Sequence, residues 1–401
     1  MTNVSQLIDN RSSFINDVCK RLSEGNNYTL NEQDSKFSFV EFVNKRENEL
    51  AKTLLKQVRI YLDTNFWILL RDVHLGRSRF EVDNIAYLKI RSLCAENKVV
   101  CPISDGVFFE ILKQTDTQTR IATAQVIDLF GKGVIIKSYF NRLSQEFYSF
   151  LKSAMQGKKP QSIPAFHSIW TFIPHIVGIF SIDMKIHGEE QDKINKIFYN
   201  FYSKLRFEEL IKMVDLGKHT EGVSDNDSWE NLAVKLSNEK RIYTPINSSI
   251  SQLHADEIAG SLEVIGEQLA DVFIVVCREI FPGEESNKLK KTEVLDVARK
   301  LVYNCFKYEK DKLAQWLPTS HIHASLHASI RRDLQRNYKA NDFIDIKHAS
   351  AALPYCNVFA TDKPLASLIK SGSLCLDQKY NTKVVSDMAE LNNHLHCIFP
   401  S

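Results

Sequence analysis

Val58, Ile60 and Leu62 alternate with Arg59 and Tyr61, the two-residue period of a pleated strand. The alternation stops at Asp63-Thr64-Asn65, residue types that cap helices, and Phe66 to Leu70 then reads as a helix start buried on both sides. Ahead of this point, Phe39, Val40, Val43, Leu50, Leu54 and Leu55 recur at helical spacing, so residues 1–55 are predicted to be a helical extension. Beyond it, a helix is predicted over Asp83 to Asn97 with Ile85, Leu88 and Leu93 on its core face. A strand from Lys98 to Ser104 follows, and then a helix from Asp105 to Lys113, capped by Ser104 or Asp105, with Glu110 in its second turn. A helix from Thr117 to Phe130 and the run Gly133 to Ile136 complete a β-α-α-β-α-α-β order over residues 56–138.

The texture changes from 139 to 318. Strand-like alternation disappears and long helical patterns take over, at Asn141 to Met155, Lys193 to Leu216 and Ala255 to Phe281. Loops are expected at Gly157-Lys158-Lys159-Pro160, at 222–227 and at 281–285. The α/β pattern then returns over 319–401. Ile322, Leu326, Ile330 and Leu334 stripe a helix from His321 to Tyr338, and Asn341 to Leu353 reads as an Ala-rich helix. The strand Asn357 to Asp362, a helix from Pro364 to Ser371 and an edge strand at Val384-Val385 close the chain. The fold class expected is α/β, a central parallel sheet flanked by helices and interrupted by a large all-helical insertion.

A chain of 401 residues with 44% hydrophobic and 25% charged positions has enough apolar material for a sizeable core. Its 51 basic and 49 acidic residues nearly cancel, so the total neither demands nor excludes a nucleic-acid partner. Eight cysteines are scattered without a CxxC pair, which suits reduced thiols of a cytoplasmic protein. The first thirty residues lack a signal-peptide core, and the apolar runs at Ile169 to Ile182 and Leu269 to Phe281 are too short or interrupted to span a bilayer.

Four acids occupy comparable places in this pattern: Asp63 and Asp362 at strand ends, Glu110 and Asp345 near helix starts. Were the strands parallel, all four would converge at one sheet edge, where open α/β sheets bind ligands. Grouped carboxylates repel one another unless they share a cation, and oxygen-only ligands select Mg²⁺ or Mn²⁺. Such ions suit phosphodiester hydrolysis.

At these residues the chain resembles the PIN-domain nucleases. The features that carry the resemblance are a strand running into Asp63-Thr64-Asn65, a helical Glu110 after the second strand, Asp345 opening the Ala349/Ala351/Ala352 helix, and a strand ending in Thr361-Asp362. The resemblance covers about 56–138 and 320–390. It implies a PIN-like domain and a metal-dependent endoribonuclease acting on single-stranded RNA, with the four acids holding Mg²⁺ or Mn²⁺ and Thr64 or Asn65 supporting them. The helical residues 139–318 exceed a compact PIN domain and leave room for a protein partner there; a second copy of the chain is a further partner that the sequence allows. The rivals are a non-catalytic scaffold that binds RNA or protein and a DNA nuclease, though no Gly-x-Gly hairpin supports a DNA clamp.

Other polar residues have bland readings beside the functional ones. Asp342 competes with Asp345 as ligand but fits a helix cap. Arg331, Arg332 and Arg336 form a strip that would suit phosphate beside a metal site and is otherwise a solvated face; Lys363 and Arg71 are similar. His323 and His327, one turn apart, invite a zinc assignment, yet no Cys or acid sits at ligand spacing within their helix, so ordinary polar histidines are expected, as for His321. Tyr139, Phe140, Phe147, Tyr148 and Phe150 read as helical core.

Overall fold

The computed structural model describes residues 32–157, 164–178, 181, 183, 188–213, 225–243 and 249–400. Residues 1–31, with Cys19 and most of the N-terminal extension, and the loop positions 158–160 and 222–224 lie outside them. The first elements are α1 (Phe39–Leu54), β1 (Val58–Leu62), α2 (Thr64–His74), α3 (Glu81–Ala95), β2 (Val99–Val100), β3 (Ile103–Ser104), α4 (Asp105–Leu112), α5 (Thr117–Gly131) and β4 (Val134–Ile136). Then come α6 (Tyr139–Met155), β5 (Trp170–Phe172), α7 (Glu189–Tyr202), α8 (Phe207–Met213), α9 (Asp225–Tyr243), α10 (Ile250–Ile280) and α11 (Lys291–Tyr308). The last are α12 (Pro318–Arg332), α13 (Ala340–Ala352), β6 (Val358–Ala360), α14 (Lys363–Lys370), β7 (Lys383–Val385) and α15 (Met388–Ile398). The chain is thus mixed α/β with parallel strands and flanking helices.

It divides into two compact units. The first comprises Met1–Ile136, Trp170–Ser224 and Phe399–Ser401, the second Lys137–Ile169 and Asp225–Ile398. Residues 139–318, expected as one all-helical block, are therefore shared between them. They also contain a strand, β5, which corrects the all-helical expectation. Three residues are too few to show a period, and β5 exists because it pairs antiparallel with β4, Val134 facing Phe172 and Ile136 facing Trp170.

In the first unit β1 pairs in parallel with β2, Val58 beside Val99, and β3 pairs in parallel with β4, Ile103 beside Ile135. The single strand expected over 98–104 is really these two pieces. Pro102 has no N–H for a ladder, and Cys101 turns its own N–H to the Phe130 carbonyl (2.9 Å) at the end of α5. Gly131 permits that approach, since a Cβ there would lie 2.9 Å from the Cys101 oxygen.

The core of this unit gathers Phe42 of α1, Ile60 and Leu62 of β1, Trp67 and Leu70 of α2, Ile127 and Phe130 of α5, and Phe198 and Tyr202 of α7. Each such side chain contributes about 1.5–3 kcal/mol by leaving water. Ser38 caps α1 through a reciprocal pair with Glu41. The Asp128 carboxylate of α5 accepts the Phe207 and Glu208 N–H groups (2.7 and 2.9 Å) at the start of α8, fastening part of 170–224 to this unit. Two expected core faces are corrected. On α3, Ile85 and Leu88 are exposed, and Ala86, Ile90 and Leu93 are buried instead; on α1, Val40 and Leu55 face solvent.

In the second unit α6 packs Leu143, Phe147, Phe150 and Leu151 against α10 and α11, so Phe147 and Phe150 are core as expected, whereas Phe140 is exposed. β6 pairs in parallel with β7, Val358 beside Lys383 and Ala360 beside Val385. The helix expected over His321 to Tyr338 is α12, which begins at Pro318 and ends at Arg332. Lys240 of α9, itself buried, ends it by donating to the carbonyls of Ile330 (3.0 Å), Asp333 (2.7 Å) and Arg336. Among the described residues no helix is long and apolar enough to cross a membrane.

Candidate functional site

β1 delivers Asp63 at its carboxyl end, where the backbone is still extended, and α2 begins at the next residue. The buried Asp63 side chain caps that helix, Oδ1 accepting from the N–H groups of Asn65 (3.0 Å) and Phe66 (3.3 Å). β3 runs in the same way into α4. Two hydroxyl bridges join these strand-to-helix corners: the Tyr61 and Ser104 hydroxyls are 2.6 Å apart, and the Thr64 hydroxyl donates to Glu110 Oε2. Asp63, Thr64 and Glu110 are thus brought into one arrangement within the first unit, while Asn65 points to solvent. Arg71, on α2, is held by Asp72 at 2.7 Å.

The second unit repeats the strand-to-helix corner once. β6 leads through buried Thr361 to half-buried Asp362, whose Oδ1 accepts the Leu365 N–H (2.9 Å) and caps α14; Lys363 is exposed. On α13, Asp342 sits three residues after the cap position Lys339 and is not the cap itself. Its Oδ2 accepts the Lys339 N–H (2.8 Å) and its Oδ1 takes Arg336 at 2.6 Å, so its carboxylate is committed to the helix start. Asp345, one turn on, is half-buried. Arg331 pairs with Glu257 (2.7 Å), which leaves Arg332 as the exposed member of the expected strip.

The expected Mg²⁺ or Mn²⁺ can be tested against these donors. Asp63 and Glu110 are oxygen ligands of the hard type that such ions take. They are two, however, and among the described residues no group of three or more His, Cys, Asp and Glu is assembled as a cation would require. The donor chemistry suits the ion and the donor count falls short, so no chemical step is routed through a metal.

One buried ionic group lies outside the sequence-predicted set. Arg142 and Glu146, one turn apart on α6, are both fully buried. Glu146 accepts from the Thr319 N–H (3.1 Å) and hydroxyl (2.5 Å) at the start of α12 and from the Tyr355 hydroxyl (2.6 Å). Arg142 donates to the Lys137 carbonyl (2.7 Å) and to Ser350 Oγ (3.1 Å) on α13. Burial pushes the Glu146 carboxyl up to about 7, against the opposing pull of those donors and of the Arg142 guanidinium. The signal that could have found it is a charged pair at helical spacing beside the apolar face Leu143, Phe147 and Phe150.

No protein-family model, curated protein or solved structure matches the chain.

Proposed function

We propose that this chain is a PIN-like nuclease hydrolysing phosphodiester bonds, with single-stranded RNA as substrate and Asp63 and Glu110 at the reacting end. The observation that carries it is the Asp63-Thr64-Glu110 arrangement at adjoining strand-to-helix corners, joined by the Thr64 hydroxyl. Ligands of α/β folds bind at such carboxyl ends. The order of acids along the sequence adds Asp345 and Asp362 as further carboxylates for Mg²⁺ or Mn²⁺, with Arg332 and Lys363 for phosphate.

A second proposal has its own support. Asp63 and Asp362 each serve as a helix cap, which is also what a non-catalytic scaffold that binds RNA or protein would need of them. Cleavage of labelled single-stranded RNA and DNA by the purified chain, with and without Mn²⁺, separates the two. The nuclease predicts Mn²⁺-dependent RNA cleavage that Asp63→Asn and Glu110→Gln reduce to background, while Asp63→Asn keeps its cap and its unfolding temperature. Full cleavage by both variants sinks the assignment of these residues. No cleavage, together with an unfolding temperature that Mn²⁺ leaves unchanged, selects the scaffold.

A further inference from the structure

His323 and His327 lie one turn apart on α12, their ring centroids 4.5 Å apart and the rings tilted by 48°. His327 Nδ1 is 3.3 Å from the Tyr338 hydroxyl oxygen, and that hydroxyl donates its only proton to the His327 carbonyl at 3.2 Å. Towards the ring it can therefore only accept. This fixes the proton of neutral His327 on Nδ1 and leaves the lone pair on Nε2. Nδ1 of His323 is buried with no hydrogen-bond partner among the described residues, an arrangement that costs free energy unless something else binds there. His323 keeps part of its surface in solvent, which gives an ion a way in.

Burial holds both rings in the neutral form that metals bind. It lowers His327 to about 4, helped by Arg331, and takes His323 well below its ordinary range, helped by His327 and Lys347. The two neighbouring cations are each engaged, Arg331 by Glu257 at 2.7 Å and Lys347 over the Trp229 ring at 5.1 Å.

The spacing suits a shared ion. An imidazole ligating at about 2.0–2.1 Å puts its centroid about 3.2 Å from the metal. Two such rings meeting at about 90–110° have centroids about 4.5–5.2 Å apart, and the observed 4.5 Å lies at the near end.

We propose that His323 and His327 form a two-imidazole site for a late first-row divalent ion such as Zn²⁺, Ni²⁺ or Cu²⁺, with Tyr338 as the positioning residue. Among the described residues no third His, Cys, Asp or Glu completes a group of three, so the remaining coordination positions fall to water or an external ligand. Soft-nitrogen selection separates this site from the hard-ion chemistry proposed for the carboxylates.

The test is Cu²⁺ binding to the full chain after chelator stripping, read by titration and by nitrogen splitting in the electron paramagnetic resonance spectrum. Expected is one equivalent bound through two imidazole nitrogens, lost in His323→Gln and in His327→Gln and unchanged in Asp63→Asn. Tyr338→Phe, which frees the His327 tautomer, should weaken binding about 10–100-fold. Wild-type affinity in both histidine variants overturns the proposal. Should either histidine variant fail to fold, Tyr338→Phe decides: unchanged affinity overturns the site and weakened binding upholds it.

Discussion

Glu146 ties the stability of the second unit to pH. Its carboxyl ordinarily titrates at 4.5 and does so at about 7 in the fold, because burial disfavours the charged form. The folded state therefore binds a proton more readily than the unfolded chain between those two values. The associated stability is complete below pH 4.5 and is lost as pH rises through 7. That interval, at 1.36 kcal/mol per pH unit, amounts to about 3 kcal/mol. Glu146→Gln removes the titration while retaining a carbonyl for the Thr319 and Tyr355 donors. It also leaves Arg142 without its carboxylate neighbour, so absolute stability falls, and the slope against pH is the diagnostic quantity. Hydrogen exchange over 142–150 and 317–322, corrected for the intrinsic rate, reads that slope locally from pH 5 to 8. Wild-type protection should decline by about 3 kcal/mol over the range and the variant's should not. Identical slopes in the two proteins would show that the hydroxyl, amide and guanidinium donors outweigh burial, and the reasoning would fail.

Two glycines make an opposed pair. Gly131→Ala places a Cβ 2.9 Å from the Cys101 oxygen, and the resulting strain of about 1–3 kcal/mol exceeds the roughly 1 kcal/mol that alanine gains in a helix, so chemical denaturation should show a loss. Gly260→Ala, on α10 with nothing within 4 Å, should stabilise by about 0.4–1 kcal/mol; equal signs for the two would refute the packing at Cys101. Lys240→Met strips the end of α12 of a donor to three carbonyls and should cost at least about 2 kcal/mol in urea unfolding. A change below about 0.5 kcal/mol, the size of an ordinary surface substitution, would refute that role.

The strand-to-helix corners were readable because local chemistry makes them. Alternation through Leu62 and an Asp before Thr64 are enough to place β1 and its cap, and Thr361-Asp362 repeats the logic at β6. What the alternation misstated was burial. It implies one wet face on β1, yet Arg59 and Tyr61 are buried as well. Arg59 donates to the Leu54 (2.6 Å) and Gln57 (3.0 Å) carbonyls, and Tyr61 meets Ser104, so their polar atoms are satisfied inside. The end of α12 was illegible because it is imposed by Lys240, some ninety residues away. The same holds for β5, which has no pattern apart from its partner. Of the candidate site, the sequence pointed to Asp63 and Glu110 as a pair, and the Thr64 hydroxyl bridge joins them. It could not tell that Asp342 is committed to Arg336 and Lys339, since that depends on where α13 starts. Apolar residues mislead in the same way: Ile85 and Leu88 share the chemistry of Ile90 and Leu93, and only the packed neighbours decide which pair is wet.

The break at Cys101-Pro102 makes one short stretch of chain a member of two ladders, with Val99-Val100 serving β1 and Ile103-Ser104 serving β4. Neither ladder can slip by the two-residue step that preserves facing without dragging the other through a covalent link too short to absorb it. The amides of Ile60 and Ile135 should therefore gain and lose protection together, as one opening event. Amide exchange that opened β1 while β4 stayed closed would mean that Pro102 acts as a hinge between the two ladders and not as a splice joining them.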